Sequence, residues 1–546
     1  MATNQSQVMQ SPQPCQLLQG EPCSVCVEDA QLEQLLKEAK QRLFEAQEAY
    51  DRLLHAQRES ASKKNKIHNP TILRVPLEMA STIFEMCAPR VSINSPLEDL
   101  HGHRRALLAL GAVCRGWRYI ALSTHSLWTT LSLCLTSRFA NSHISLWKEF
   151  LVRSGRLPLS LYIYGTPEAQ VTEPSVLKVV DALKEHSDRL KNFRIDISIR
   201  YLSLFQNIAN VSSPIDTLHL QCLDNKIDCA EFLLDLKFTP SRLAIHKVPV
   251  QWLSIYLCSL VDLEVTRICI DRCIWLLSQS PLLRRCKFSA ILASADTGAR
   301  PLAPGVLPSL EDLEISVPSR DNDMVCPKGI DKLLDTFKFP ALRALRLNLN
   351  SGNLPYRHLS SLFQRSSCDL RTLHIVNTIL DAYGLVLLLQ GIPSLETLMI
   401  DPVNYSTYSL ATFFDGLAQR SLPSPDYIHQ ACGHPMILPN LRFLTHRAQF
   451  PHPHSWNLIT RIYCGFDSVA ELRQGLGWRP LDCLHLLLVE PIPLHPDIAL
   501  ININMFPIFL AIREAGRRLH IVNETLGQDL LIPQAPTRLR PAGPPS

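Results

Sequence analysis

The sequence predicts an α+β protein assembled in three stages: one long amphipathic helix, a compact all-helical segment, and a repeating α/β body. Three observations predict it. Apolar residues keep a heptad rhythm between residues 32 and 53. Between residues 72 and 128 they recur at three- and four-residue steps, which marks helix faces. From residue 190 onward a six-residue unit, apolar–x–x–apolar–x–apolar, keeps returning. A unit that recurs in this way signals stacked copies, because one strand and one helix cannot cover their own apolar side. The expected boundaries are a disordered lead at 1–28, a heptad helix and hinge at 29–66, the helical segment at 67–128, the repeat body at 129–530 and a Pro-rich disordered tail at 531–546.

In the lead, Cys23 and Cys26 have C-x-x-C spacing, with Cys15 nearby. No second pair of ligands follows at a matching interval, so these read as thiols and not as a metal site. In the first helix Leu32, Leu36, Ala39, Leu43, Ala46, Tyr50 and Leu53 alternate steps of four and three. Glu33, Lys37, Glu38, Lys40, Arg42, Glu45 and Glu48 flank that seam. Two readings stay open here: a short coiled coil, with self-association through residues 32–53, or an amphipathic helix lying on its own domain. The run Ser60-Ala-Ser-Lys-Lys-Asn-Lys66 reads as a solvated hinge.

The helical segment starts at Pro76, which suits a first helical turn because its missing N–H costs nothing there. Leu77, Ala80, Ile83, Phe84 and Cys87 then share a helix face. A second run contains Leu107, Leu108, Gly111, Ala112, Cys114, Trp117, Ile120 and Ala121. Between them Ala88 to His103 is rich in turn residues and is expected to be an irregular insert. Helices this short leave some apolar surface for another helix to cover.

These residues carry a resemblance. Val75-Pro76-Leu77-Glu78-Met79, Ile83-Phe84, Val113-Cys114-Arg115-Gly116-Trp117-Arg118, Ile120-Ala121 and Leu127-Trp128 fall in an order that resembles the F-box. The resemblance covers about a tenth of the chain, Ile72 to Trp128. It implies a substrate-recognition subunit of a Skp–cullin–F-box ubiquitin ligase. Pro76, Leu77, Ile83, Phe84, Val113, Cys114 and Trp117 would then dock a Skp-type adaptor and, through it, a cullin.

After Trp128 come a strand at Thr129 to Cys134, a helix at His143 to Arg153 and a strand at Leu157 to Tyr164. The repeat units then begin at 190, 215, 240, 260, 283, 310, 342, 370, 395, 441 and 481. Helix-like runs separate them at Ala230–Leu236, Trp252–Leu257, Ile274–Ser278, Ile330–Phe337, His358–Arg365 and Tyr383–Gln390. Strand followed by helix, with parallel strands lining a concave face, resembles leucine-rich-repeat proteins without a strict Asn ladder. The expected fold is therefore a coiled-coil-like N-terminal helix, a helical F-box and an irregular leucine-rich-repeat α/β solenoid. Asp401 to Pro439 and Ala448 to Pro480 read as surface loops. Cys432 with His434, and His452 with His454, sit among prolines and are not read as metal ligands. Ile508 to Ala515 and Leu519 to Ile521 supply a last helix and strand.

Strand alternation points the middle residue of each L-x-L away from the interior. His219, Glu264, Lys287, Glu314, Arg346, His374 and Met399 are the expected target-binding residues, with Asp216 and His485 beside them. Net charge is +4 and charged residues are 19%, which implies no nucleic-acid or anionic-surface partner. The longest apolar stretch, Ile498 to Ile512, is broken by Asn502, Asn504 and Pro507 and is too polar to span a bilayer. Seventeen scattered cysteines suit reduced thiols in a cytoplasmic or nuclear protein. There is no G-x-S-x-G, no phosphate-binding P-loop and no H-E-x-x-H, so no enzyme activity and no cofactor are expected. The alternative is a non-catalytic binding scaffold whose helical hairpin only caps the solenoid.

Overall fold

The computed structural model describes residues 23–68, 75–89, 91, 95–135, 140–165, 172–206, 208, 213–224, 234–250, 253–292, 305–318, 329–403, 413–414, 416–417, 437–449, 457–464, 481–489, 505–524 and 528–532. Cys15, Cys432, His434, His452 and His454 lie outside them. The chain divides into two compact units, with the division at Leu127 and Trp128.

Among the described residues the first unit holds helices and no strand. Helix α1 spans Ser24–His68. The sulfur of Cys23 accepts from the backbone N–H of Cys26 at 3.3 Å, so the C-x-x-C pair marks a helix start. The expected hinge at 60–66 is helical instead, because Ala, Ser, Lys and Asn there include no Gly or Pro to stop propagation. Helix α2 is Leu77–Cys87, entered from Pro76 as expected. Helix α3 is Leu97–Ala112, entered from Pro96 in the same way. The insert expected to be irregular up to His103 is therefore helical from Leu97 on. The run expected to continue from Leu107 to Ala121 is broken at Cys114, whose backbone is extended and whose sulfur accepts from Trp117 N–H at 3.4 Å. Helix α4, Arg115–Ser123, starts there. Arg118 Nε donates to the carbonyl of Gly111 at 2.9 Å and fixes the turn.

Among the described residues the second unit holds one sheet of fifteen strands in chain order and two two-stranded pairings beside it. The strands are β1 Thr130–Cys134, β2 Leu159–Tyr164, β3 Leu190–Ile197, β4 Ser213–Cys222 and β5 Phe238–His246. Next come β6 Asp262–Thr266, β7 Arg285–Ser289, β8 Asp312–Ser316, β9 Ala344–Asn353 and β10 Thr372–Ile379. The last are β11 Thr397–Pro402, β12 Phe443–Gln449, β13 Cys483–Val489, β14 Arg518–Asn523 and β15 Gln528–Asp529. Neighbours pair in parallel throughout, except that β15 runs antiparallel to β14. The eleven repeat units each supply one strand, β3 to β13. Their leading leucines, from Leu260 to Leu481, are wholly buried. The two apolar residues that follow in each strand, such as Leu345 and Leu347, are buried with them.

Helices follow several strands: Ile270–Gln279, Ile330–Thr336, Tyr356–Ser366, Ala382–Gln390 and Phe506–Glu514. The helices expected at Ala230–Leu236 and Trp252–Leu257 are absent among the described residues. Leu234–Asp235 and Leu253–Ser254 are extended and pair with each other. The repeat starting at 240 is only 20 residues long, too few for a strand, two turns and a helix, so a short strand covers the core there. Nor is the spacer from Ala448 to Pro480 wholly a loop, since Asn457–Cys464 is a helix with Ile459, Ile462 and Tyr463 buried. Phe413, Phe414 and Leu417, in the other spacer, are buried too.

Two backbone devices recur along the sheet. In the repeats that start from Leu260 to Leu441, the carbonyl one residue after the leading leucine accepts two N–H groups from the next repeat. Arg284 O takes Glu311 and Asp312 at 2.8 and 3.0 Å, and Glu311 O takes Arg343 and Ala344 at 2.9 and 3.0 Å. Arg343, Arg371, Glu396 and Arg442 continue the pattern. The second device is a left-handed residue two places after the last repeat position: Lys247 at φ 57°, Arg267 at 64°, Ala290 at 55° and Asn377 at 49°. This turns the chain off the sheet, and a Cβ is costly there. Ala290→Gly should raise the urea midpoint, by a net stabilisation of about 0.5–1 kcal/mol once the extra freedom of the unfolded chain is set against relief of strain. A lowered midpoint would show that Ala290 is held by packing and not strained.

Candidate functional site

The helical hairpin presents one candidate surface. Ala80 and Phe84 of α2 are fully buried, with Leu100 and Leu107 of α3 and Ile120 and Ala121 of α4. Phe84 meets the Trp117 ring at 5.0 Å between centroids. Ser81 and Thr124 share a hydrogen bond of 2.8 Å, and Thr124 donates to the Ile120 carbonyl at 2.7 Å. Ser126 donates to the Glu85 carboxylate. One side of α2 is thereby spent on its own hairpin.

The other side is apolar as well. Met79 is 59% exposed, Ile83 41% and Met86 78%. At 100° per residue these three fall within about 60° of one another. A helix that is apolar on both sides belongs inside something larger than its own domain. Leu77, Leu108, Val113 and Tyr119 are exposed as well.

Of the residues the sequence assigned to adaptor docking, Pro76, Leu77, Ile83 and Val113 are exposed, and Cys114 and Trp117 are half-buried. Phe84 is corrected: it is 0% exposed and serves as the centre of the hairpin core. Met79, Met86 and Tyr119 are exposed beside them and were not among the expected residues. Met79 and Met86 stand at i and i+7, and that spacing was available as a signal.

The sheet presents the second candidate surface. The register sets Glu264 beside Lys287, Lys287 beside Glu314, Glu314 beside Arg346, Arg346 beside His374 and His374 beside Met399. The row continues to Thr445, His485 and His520 on one side. On the other side it runs to Ala244, His219 and Arg194. All seven expected target-binding residues thus share one row across the face.

They are not alike in reach. Lys287 lies 3.4 Å from Glu264 and 3.7 Å from Glu314, and Arg346 lies 2.7 Å from Asp312. Lys287 is thus paired within the row, Arg346 is paired with an acid two residues before Glu314 on the same strand, and all of them remain part-exposed. His374 is half-buried, and burial with the Arg346 charge lowers its pKa. Asp216 is exposed and pairs with Lys191 at 3.4 Å.

His219 is corrected. It faces the expected way but is only 6% exposed, flanked by the His246 ring at 4.8 Å between centroids. Arg194 bonds Asp196 at 2.6 Å, and Asp196 Oδ1 lies 3.9 Å from His219 Nε2, beyond hydrogen-bonding reach. Burial first, then the Arg194 charge and His246, push the His219 pKa down to about 3. Burial raises the Asp196 carboxyl, and the Arg194 hydrogen bond and charge oppose that rise. The imidazole is therefore neutral, held in a buried polar cluster and not offered to a target.

No family model matches the chain, and no curated protein matches it. Among solved structures it is similar to a crystal structure of a Rad7 and Elc1 complex in yeast. Identity is 16%, the match covers 68% of this chain and 95% of that chain, and the TM-score is 0.29. A score of that size is too low to carry a residue-by-residue correspondence.

Among the described residues no group of three or more His, Cys, Asp or Glu is placed to hold a metal, and no helix is long and apolar enough to cross a membrane.

The depressed pKa of His219 has a consequence for stability. Unfolded His takes a proton near pH 6.5, whereas folded His219 waits until about pH 3. Between those values the unfolded chain binds the extra proton, so this contribution is complete above pH 6.5 and is lost as pH falls. His219→Gln should flatten the fall in melting temperature between pH 7 and pH 5, the Asp196 contribution being common to both proteins. Equal slopes in the two proteins would mean that His219 titrates normally in the folded chain.

Proposed function

We propose that the chain is a non-catalytic receptor: the hairpin docks a Skp-type adaptor, and the sheet face holds a protein target. The observation that carries this is the stripe Met79, Ile83 and Met86, exposed on a helix whose opposite side is already packed. It lies within the segment that resembles the F-box. The docking surface on this reading is Pro76, Leu77, Met79, Ile83, Met86 and Val113, with Trp117 bracing it from beneath by its contact with Phe84.

The adaptor would connect the chain to a cullin, as in a Skp–cullin–F-box ubiquitin ligase. No residue of this chain is assigned a bond-making role, and the reading needs no cofactor. Its action would be to raise the local concentration of a target near a conjugating enzyme. A reduced compartment, cytoplasm or nucleus, belongs to the same reading. On the target side, the part-exposed row from Glu264 to Met399 is the proposed contact strip. Because its charges are already paired, Lys287 with Glu264 and Glu314 and Arg346 with Asp312, it suits a partner that threads polar groups between them better than one that supplies a single strong charge.

Calorimetric titration of a Skp-type adaptor into the full-length chain tests the docking half. Met79→Glu with Ile83→Glu should weaken binding roughly 30-fold or more, the loss typical of central interface anchors, with circular dichroism unchanged. Phe84→Ala should behave differently, losing about 3–5 kcal/mol of hairpin stability as a core truncation does. Adaptor binding unaffected by the double glutamate variant would remove the stripe from the interface and the proposal with it.

A further inference from the structure

The seam of α1 decides between the two readings left open by its heptads. Leu32 is 59% exposed, Leu36 56%, Leu43 70%, Tyr50 60% and Leu53 71%. The helix therefore does not lie on its own domain. It carries a continuous apolar stripe with solvent on it, and such a stripe on a 45-residue helix calls for a partner helix.

We infer that the partner is α1 of a second copy, packed antiparallel about a two-fold axis between Phe44 and Glu45. Side-chain size is the first argument. The seam alternates large and small residues, Leu36, Ala39, Leu43, Ala46, Tyr50 and Leu53. A parallel, in-register pair would set Ala39 against Ala39, Ala46 against Ala46 and Tyr50 against Tyr50, leaving two thin layers and one crowded one. The antiparallel pair sets Ala39 against Tyr50, Leu43 against Ala46 and Leu36 against Leu53. Every layer then holds a large residue, and facing positions interdigitate.

Charge is the second, independent argument. The N-terminal turns carry Glu28, Asp29 and Glu33, with no base before Lys37. The C-terminal turns carry Arg58, Lys63 and Lys64 against one acid, Glu59. Each helix thus completes its own macrodipole. Parallel pairing would bring acid to acid and base to base. Antiparallel pairing brings the acidic end of each copy beside the basic end of the other, with Glu28 near Lys63 of the second copy. Like charges set together count against the first arrangement, and opposite charges favour the second.

The inference is independent of the adaptor reading, since it uses neither the hairpin nor the sheet face. Sedimentation equilibrium on the full-length chain should give twice its 61.6 kDa. Leu36→Glu with Leu43→Glu should return it to a monomer with an unchanged near-ultraviolet spectrum. Orientation is read by amine cross-linking of a mixture of isotopically light and heavy chains. Antiparallel packing puts the two Lys40 residues about 14 Å apart along the axis and the two Lys63 residues about 55 Å apart, at 1.5 Å per residue. Mixed-isotope Lys40–Lys40 links without Lys63–Lys63 links are expected. A monomeric wild-type chain, a dimer that survives both glutamates, or abundant Lys63–Lys63 links would each overturn the inference.

Discussion

The repeat body depends on a single recurring backbone contact. One carbonyl, placed just after the leading leucine of a repeat, accepts two N–H groups from the repeat that follows. It does so at Val261, Arg284, Glu311, Arg343, Arg371, Glu396 and Arg442, at 2.8–3.1 Å. Because the acceptor is main chain, the side chain at that position is free to vary, and it does: valine, arginine and glutamate all serve. Leucine-rich arrays with an Asn ladder assign such bonding to a side chain. Here the same bonds come from the chain itself, so the repeat tolerates an irregular sequence. The contact also explains how the spacing can stretch. Glu396 makes the same double contact with Arg442 and Phe443, some 46 residues on, that Arg371 makes with Glu396 and Thr397 after 25. Extra residues between repeats cost only the slowly growing entropy of a longer loop, provided the next leucine returns to register.

The hairpin obeys a different constraint. Three helices of nine to sixteen residues cannot make a deep core. They concentrate what they have around Phe84, Trp117 and Ile120 and tie the turns with a few polar contacts, Cys114 to Trp117, Arg118 to Gly111 and Ser81 to Thr124. Being braced on one side holds the outward side of α2 at fixed spacing. Loosely held methionines would lose rotamer freedom on binding. Methionines on a braced helix lose less backbone freedom and can adapt to the surface they meet.

Much of this was legible in residue order. The six-residue unit placed all eleven repeat strands, because a leucine that must point inward at the turn and twice in the strand has few substitutes. Pro76 announced α2. Pro96 carried the same signal for α3 and was outweighed by the turn residues around it. The helices expected at Ala230–Leu236 and Trp252–Leu257 failed because apolar runs of six or seven residues suit a buried strand as well as a helix, and periodicity alone does not separate the two. His219 shows a deeper limit. Alternation gives the direction of a side chain and says nothing of what its neighbours leave uncovered. With Ala244 on one side and Arg194 on the other, the ring settled into a polar interior and lost its proton. Phe84 was misjudged for a like reason, since the apolar stripe on α2 is wider than one face and periodicity cannot say which edge faces inward.

The last strand of the sheet runs backwards. Thirteen parallel pairings precede it, and then Asp529 and Gln528 return against Val522 and Asn523, with Leu530 N–H bonded to the Ile521 carbonyl. A parallel array has no built-in stopping point: its final edge offers the same unmet groups that each earlier strand offered to its successor. A short reversed strand there breaks the template. The returning strand takes up edge groups of β14 at Val522 and Asn523 that a foreign β-strand would otherwise meet, so the exposed template is shortened at that end.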